Sequence, residues 1–177
     1  GEHMAFEPIP ELAARVAEKY PRVDVHECAL SDVSGRSTFQ LVTNDTGYSG
    51  LRRRHYDFGE PIIREIVVRT RTLDELYPIE RPLRFVKIDI EGAEYLMLKG
   101  GKQTLREHLP YIVFEHGRGA ANYYDVRPEM LYDLLTEEIG LHISTMEGWL
   151  GGEGSLSRED MMEQFDDKLN YYFIAHP

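Results

Sequence analysis

Lys87, Asp89 and Glu91 recur at every second position of FVKIDIEGAE, residues 85–94, a stretch otherwise apolar up to Gly92. Alternate residues of an extended strand share a face, so these three stand together while Val86, Ile88 and Ile90 face the other way. The β-branched and aromatic residues suit a buried strand, and Gly92-Ala93 breaks it so that a helix can begin. Carboxylates at the carboxyl end of such a strand lie where open α/β sheets bind ligands, and there they accept hydrogen bonds from hydroxyls or take a proton from one. Two structural readings compete. Glu91 and Glu94 suit the first turn of a helix and its dipole, and Lys87 with Asp89 suits a buried ion pair. Glu94 is assigned to the structural reading. Asp89 is assigned to function, because a charge inside an apolar strand is costly to bury without a partner or ligand.

Other strand ends carry acids too: Glu7 after Ala5-Phe6, and Asp32 just past Leu30. In an α/β sheet these ends converge on one crevice, where a carboxylate is suited to grip ribose hydroxyls. Glu7 fits that role, or that of a surface turn acid before Pro8, and position alone does not choose. The candidate bases for a hydroxyl proton are Asp89, Glu91 and His116, the last following the run Tyr111 to Glu115. A histidine titrates near working pH, although a lone one after a strand is more often structural. A magnesium ion on Asp89, Glu91 and Glu115 is a substitute for the base. Nothing in the sequence requires it, and no metal site is assigned.

These residues need a scaffold of alternating elements. Residues 10–20 read as a helix with Leu12, Ala13, Val16, Ala17 and Tyr20 on one stripe and Pro10 in the first turn. Val23 to Leu30 reads as a strand ended by Ser31 to Gly35, and residues 37–42 and 63–70 as strands flanking a long polar loop, Thr43 to Gly59. Thr72 caps a short helix through Leu76, with Glu75 completing a capping-box pattern. The helix after Glu91 is divided at Gly100-Gly101 and stopped by Pro110. Tyr111 to Phe114 is a strand, Pro128 to Ile139 a helix closed by Gly140, and Leu141 to Met146 a strand. Gly148 to Gly154 reads as a flexible connection, without the features of a phosphate-cradling loop. Ser157 caps a helix through Phe165, and Leu169 to Ala175 is the last strand. The pattern predicts one α/β domain over residues 1–177, a doubly wound, mostly parallel sheet with an antiparallel C-terminal strand pair.

Composition narrows the function. With 177 residues, net charge −11 and a 42% hydrophobic share, the chain is expected to be soluble and without a large nucleic-acid footprint. Arg52, Arg53, Arg54 and His55 form one local basic patch, read as a solvated loop. Cys28 is the single cysteine, so no intrachain disulfide forms and a reducing, cytoplasmic compartment is expected. No apolar run approaches the roughly 18 residues of a membrane span, so no membrane partner is expected. The oligomeric state is not legible.

The segments AFEPIPELAARV, CALSDVSG, TRTLDEL, FVKIDIEGAEYLMLKGG and LPYIVFE, in this order and spacing, resemble the FkbM-type methyltransferase family over nearly the whole chain. The block from Phe85 to Gly101 is the most specific. The resemblance implies a Rossmann-like fold, S-adenosyl-L-methionine as cofactor, and transfer to an oxygen of a small metabolite, sugar or lipid-like acceptor. It implies that Glu7 holds the ribose, that the turn Ala29, Leu30, Ser31, Asp32 borders the adenine, and that Asp89 lies beside the methionine portion. Ser49, Gly50 and Leu51 would sit toward the acceptor. The family's first strand and glycine-rich turn have no counterpart here, so an N-terminally truncated domain is expected, in preference to a cloning remnant in Gly1 to His3. Two other readings stand beside the enzyme: a non-catalytic binding or scaffold module, and, more distantly, a two-metal nuclease suggested by Asp89-Ile90-Glu91.

Overall fold

The chain, described by a computed structural model over residues 1–56 and 59–177, begins with β1 (His3–Phe6), α1 (Pro10–Lys19) and β2 (Val23–His26), with β2 parallel to β1. Residues 57 and 58 of the predicted 43–59 loop lie outside the described residues. Pro10 opens α1, which buries Ala13 and half-buries Leu12 and Val16. Ala17 and Tyr20, expected on the same stripe, are exposed, and α1 ends at Lys19 with Tyr20 as its C-cap. The predicted strand 23–30 is two strands. The Cys28 N–H bonds back to the His26 carbonyl at 2.9 Å, and this local turn redirects the chain into β3 (Ala29–Leu30), which pairs with a different neighbour.

β4 (Gly35–Val42) and β5 (Ile63–Arg71) form a long antiparallel hairpin, in register from Gly35 opposite Thr70 to Val42 opposite Ile63. Phe39, Leu41 and Val68 pack with Ile9 and Ala29 in a small core that seats α1 on the hairpin. In the connection, Thr46–Tyr48 forms one 3-10 turn, and Gly50 pairs back on Gln40 through hydrogen bonds of 2.8 and 3.2 Å. α2 (Leu73–Leu76) is capped by Thr72, whose hydroxyl accepts from the Glu75 N–H at 3.3 Å. The expected capping box is only half formed: the Thr72 N–H goes to Ser34 Oγ, and the Glu75 carboxylate accepts from Arg71 and Ser34 instead.

β6 (Phe85–Ile88) leads to α3 (Glu94–Gly100), α4 (Lys102–His108) and β7 (Tyr111–Glu115), parallel to β6. α5 (Pro128–Asp133) continues as a π-helical turn, Leu134–Ile139, ended by Gly140 at φ 97°. β8 (His142–Thr145) is followed by α6 (Met146–Gly151), where a flexible connection was expected. The Thr145 hydroxyl accepts the Gly148 N–H at 3.0 Å and nucleates this helix despite its glycines. α7 (Arg158–Asp166) carries a full capping box between Ser157 and Asp160, and β9 (Tyr172–His176) returns antiparallel to both β7 and β8.

The fold is mixed α/β, but the described strands form three sheets, ordered β1-β2, β3-β5-β4 and β6-β7-β9-β8, where one mostly parallel sheet was expected. The long hairpin and the returning C-terminal strands make half of the ladders antiparallel, while the turn at Cys28 separates the first two sheets. Ile88, Ile112, Phe114, Phe173 and Ile143 line one face of the four-stranded sheet and meet Leu98, Leu105, Leu131 and Met161 in the main core. Among the described residues, no helix is long and apolar enough to cross a membrane.

α3 ends with Gly100 pressed on the Ser31 carbonyl, so that a Cβ there would collide with backbone. Gly100→Ala is therefore expected to destabilise the fold by about 2 kcal/mol despite alanine's better helix propensity, measured by urea unfolding. A stabilised variant would show that α3 and the Ser31 turn separate readily.

Candidate functional site

Beyond Ile88 the β6 chain enters a turn whose shape is set by a buried acid. Glu94 is 2% exposed, and its Oε1 accepts the N–H groups of Ile90 and Gly92 at 3.3 and 3.1 Å. Burial raises its proton affinity, against the opposing pull of those N–H groups. The surface helix-dipole role expected for Glu94 is corrected here: its carboxyl is a clamp inside the turn. Gly92 sits at φ 103°, and a Cβ on it would lie 2.6 Å from the Ala120 carbonyl, so the turn is backed directly by the segment after β7.

Glu91, held between these clamped residues, adopts φ 60°, a left-handed conformation uncommon for a side chain of its kind. It projects to an ion pair with Arg54, whose side chain is 10% exposed. The Arg54 guanidinium lies 5.2 Å from the Tyr48 ring centre and 5.7 Å from that of Tyr56. Its Nε is enclosed without a hydrogen-bond partner among the described residues. Burial raises the Glu91 pKa from its ordinary 4.5 to about 7; Arg54 pulls it down, while Asp89, Glu115 and Glu94 push it up. A carboxyl poised there exchanges a proton near neutral pH.

Tyr124 closes the other side. Its Oη accepts the Arg52 N–H at 3.1 Å, and burial pushes its pKa up to about 12, so it stays a neutral phenol. A Cβ on Gly50 would lie in ordinary contact with Tyr124 Oη and Glu91 Cβ, at 3.5 and 3.6 Å. The segment Gly50 to Arg54 thus lies across the end of β6.

The remaining sequence candidates are placed as follows. Asp89 is exposed and pairs with Lys87 at 2.9 Å, the two side chains 51% and 46% exposed. The pair is a surface one, and the burial premise behind Asp89 fails because β6 ends at Ile88, before it. Glu7 lies at the end of β1 with one carboxylate oxygen accepting the Ile9 N–H at 2.8 Å, and burial raises its proton affinity. Ala29 and Leu30 are buried in the two cores, and Asp32 accepts from Lys99 at 2.9 Å. His116 is 2% exposed, its ring tilted 30° against Phe165 at 4.9 Å between centres, with Nε2 lacking a partner among the described residues. Burial drives its pKa from 6.5 to about 4, which leaves it neutral at pH 7. Glu91, Asp89 and Glu115 interact across the ends of β6 and β7, and Glu7 and Asp32 stand at other strand ends. Among the described residues, no group of three His, Cys, Asp or Glu side chains is arranged to hold a metal ion.

Arg54, Tyr48 and Tyr124 were missed as site residues. Arg54 was visible only inside a basic run, 37 residues from its partner in sequence, and nothing local marks Tyr124.

The family model described as Methyltransferase FkbM domain matches residues 1–139. A crystal structure of methyltransferase FkbM from Methylobacillus flagellatus KT is similar, with a TM-score of 0.52 at 16% identity; the match covers 99% of this chain and 36% of that one. No curated protein matches.

Glu91 gives a linkage prediction. Its folded pKa, about 7, lies above its ordinary 4.5, so between these values the folded chain binds more protons than the unfolded one. Its contribution is full below about pH 4.5 and is lost as pH rises through about 7. Glu91→Gln should flatten this part of the stability curve, measured by urea unfolding at stepped pH. An unchanged slope would show that Arg54 offsets the burial completely.

Proposed function

Because the chain belongs to the FkbM methyltransferase family, we propose that it moves a methyl group from S-adenosylmethionine to a hydroxyl oxygen of a small-molecule acceptor. The observation that carries this reading is the Glu91 carboxyl, fixed at the end of β6 and titrating at about 7. A base with that proton affinity removes a hydroxyl proton as the oxygen becomes nucleophilic. Arg54 keeps Glu91 available in its ionised form, and the buried phenol of Tyr124 limits water beside it. Of the three candidate bases, Glu91 remains partly accessible with a proton affinity suited to neutral pH, whereas His116 is enclosed and neutral and Asp89 is paired with Lys87 at the surface.

S-adenosylmethionine supplies an electrophilic methyl group on a sulfonium centre. The residues present fit its binding at one point in particular. Glu7 spends one carboxylate oxygen on the Ile9 N–H, and its second has no partner among the described residues, which suits a ribose hydroxyl. Ala29 and Leu30 would contribute backbone, with the turn at Asp32, to the adenine side, and Asp89 would face the methionine portion. The Rossmann-like form of the fold requires one further strand between β1 and β6. Each has a neighbour on one edge only among the described residues, β2 and β7 respectively, which supports that arrangement. The single, buried Cys28 supports a reducing, cytoplasmic setting.

Tritiated S-adenosylmethionine and a panel of hydroxylated acceptors test this reading. Turnover should rise with pH through an apparent pKa near 7, and Glu91→Gln should lower it about 100-fold, roughly 2.7 kcal/mol of barrier. Full activity in Glu91→Gln would remove it as the base. In isothermal titration, Glu7→Gln should weaken cofactor binding by about tenfold, or roughly 1.4 kcal/mol. Equal affinities would take Glu7 out of the site.

A further inference from the structure

Beside the Glu91 turn lies a cleft of about 450 Å³ that meets the proposed adenine turn only at Ser31 and is otherwise without an assigned occupant. It runs from the turn after β3, along the first residues of β4, to Arg52 and Tyr124. Its volume suits a small ligand. Arg36 and Arg52 line it with exposed side chains, and neither has an ion-pair partner among the described residues. The hydroxyl-bearing residues Ser31, Ser37, Thr38 and Thr70 line it as well, and Val33, Leu51 and Leu96 give it an apolar side. Asp32 is not part of the lining; its carboxylate is taken by Lys99.

Two features mark the cleft as a site for negative charge. First, the chain carries a net charge of −11, so two unpaired arginines on one small concavity run against the background, and a concave basic surface focuses anions. Second, Arg36 stands directly opposite Arg69 across the β4–β5 ladder, a like-charge arrangement that costs stability. Arg69 is only loosely answered by Glu27 at 3.9 Å, and Arg36 has no counterion among the described residues. Among the described residues no acid lines the cleft, and the Glu75 carboxylate that accepts from Ser34 is also engaged by Arg71. An oxyanion between Arg36 and Arg52 would relieve the repulsion and take the charge-assisted hydrogen bonds that neither guanidinium now makes.

We infer that this cleft binds the oxyanion end, phosphate or carboxylate, of an amphipathic organic ligand. Arg36 and Arg52 hold the oxygens, and Val33, Leu51 and Leu96 cover the apolar body. If the methyl-transfer reading holds, the ligand is the acceptor. Tyr124 and Arg52 belong both to the cleft and to the wall beside Glu91, so a molecule anchored here has its far end directed to the base. The acceptor class is then a hydroxylated organic phosphate or carboxylic acid.

The test uses phenyl phosphate, benzoate and phenol as probes, titrated into the isotope-labelled chain with no methyl donor present. The Nε–H signals of Arg36 and Arg52 should shift with phenyl phosphate or benzoate and stay still with phenol. Whichever anion saturates first identifies phosphate or carboxylate as the preferred group. Arg36→Gln with Arg52→Gln should weaken that binding by at least about tenfold. Both side chains are on the surface, and an unchanged melting temperature confirms that the variant is folded. The inference is overturned if neither anion shifts these signals up to about 10 mM, if phenol does so equally, or if the double variant binds as tightly as the parent. Because the readout is binding alone, failed methyl transfer with intact binding removes only the acceptor assignment, and failed binding leaves the Glu91 reading standing.

Discussion

The Glu94 carboxyl group gathers the N–H groups of Ile90 and Gly92 onto a single oxygen, and the geometry at the end of β6 follows from that contact. With both flanking amides tied to one acceptor, Glu91 is carried into the left-handed region, at a cost on the order of 1 kcal/mol. Such a conformation persists only where the surroundings over-determine it. Here they do so three times: through the Glu94 clamp, through the backing of Gly92 by Ala120, and through the ion pair with Arg54. The side chain that results is aimed away from the core and toward the segment arriving from the long hairpin.

The charge pattern around this turn is deliberately unbalanced. Burial raises the proton affinity of Glu91, Arg54 lowers it, and Asp89, Glu115 and Glu94 raise it further. A fully neutralised acid would titrate near its solution value and be a poor base at pH 7. A fully enclosed one would not ionise. The single guanidinium, itself bracketed by Tyr48 and Tyr56, leaves Glu91 between these limits.

Much of the scaffold was legible from local chemistry. The strand at Phe85 to Ile88, the division of the next helix at Gly100-Gly101, the caps at Thr72 and Ser157, and the glycine end at Gly140 each follow from a few adjacent residues. What was not legible was decided at a distance. The helix Met146–Gly151 exists because Thr145 supplies a cap that outweighs two glycines. The break at Cys28 reflects a change of strand partner, which no periodicity records. At the site, Glu91 was readable from its place after a strand, whereas Arg54 and Tyr124 reach it from other parts of the fold. Asp89 was misjudged as buried because the alternation of Lys87, Asp89 and Glu91 continues past the point where hydrogen-bonded pairing stops. Glu94 was misjudged as superficial because sequence spacing does not reveal which side of a turn closes on the interior.

The change of partner at Cys28 has a bearing on how such a domain diversifies. The β4–β5 hairpin is stitched to the preceding chain by only two residues of β3, while its own ladder runs for eight residue pairs. It behaves as a nearly self-contained arm whose tip delivers Gly50, Arg52 and Arg54 to the end of β6. Lengthening, shortening or replacing the tip leaves the register of the other sheets untouched, and exposed connections tolerate such change. Selection can therefore rewrite what the chain meets at that end without renegotiating the core, much as interchangeable heads are fitted to one handle.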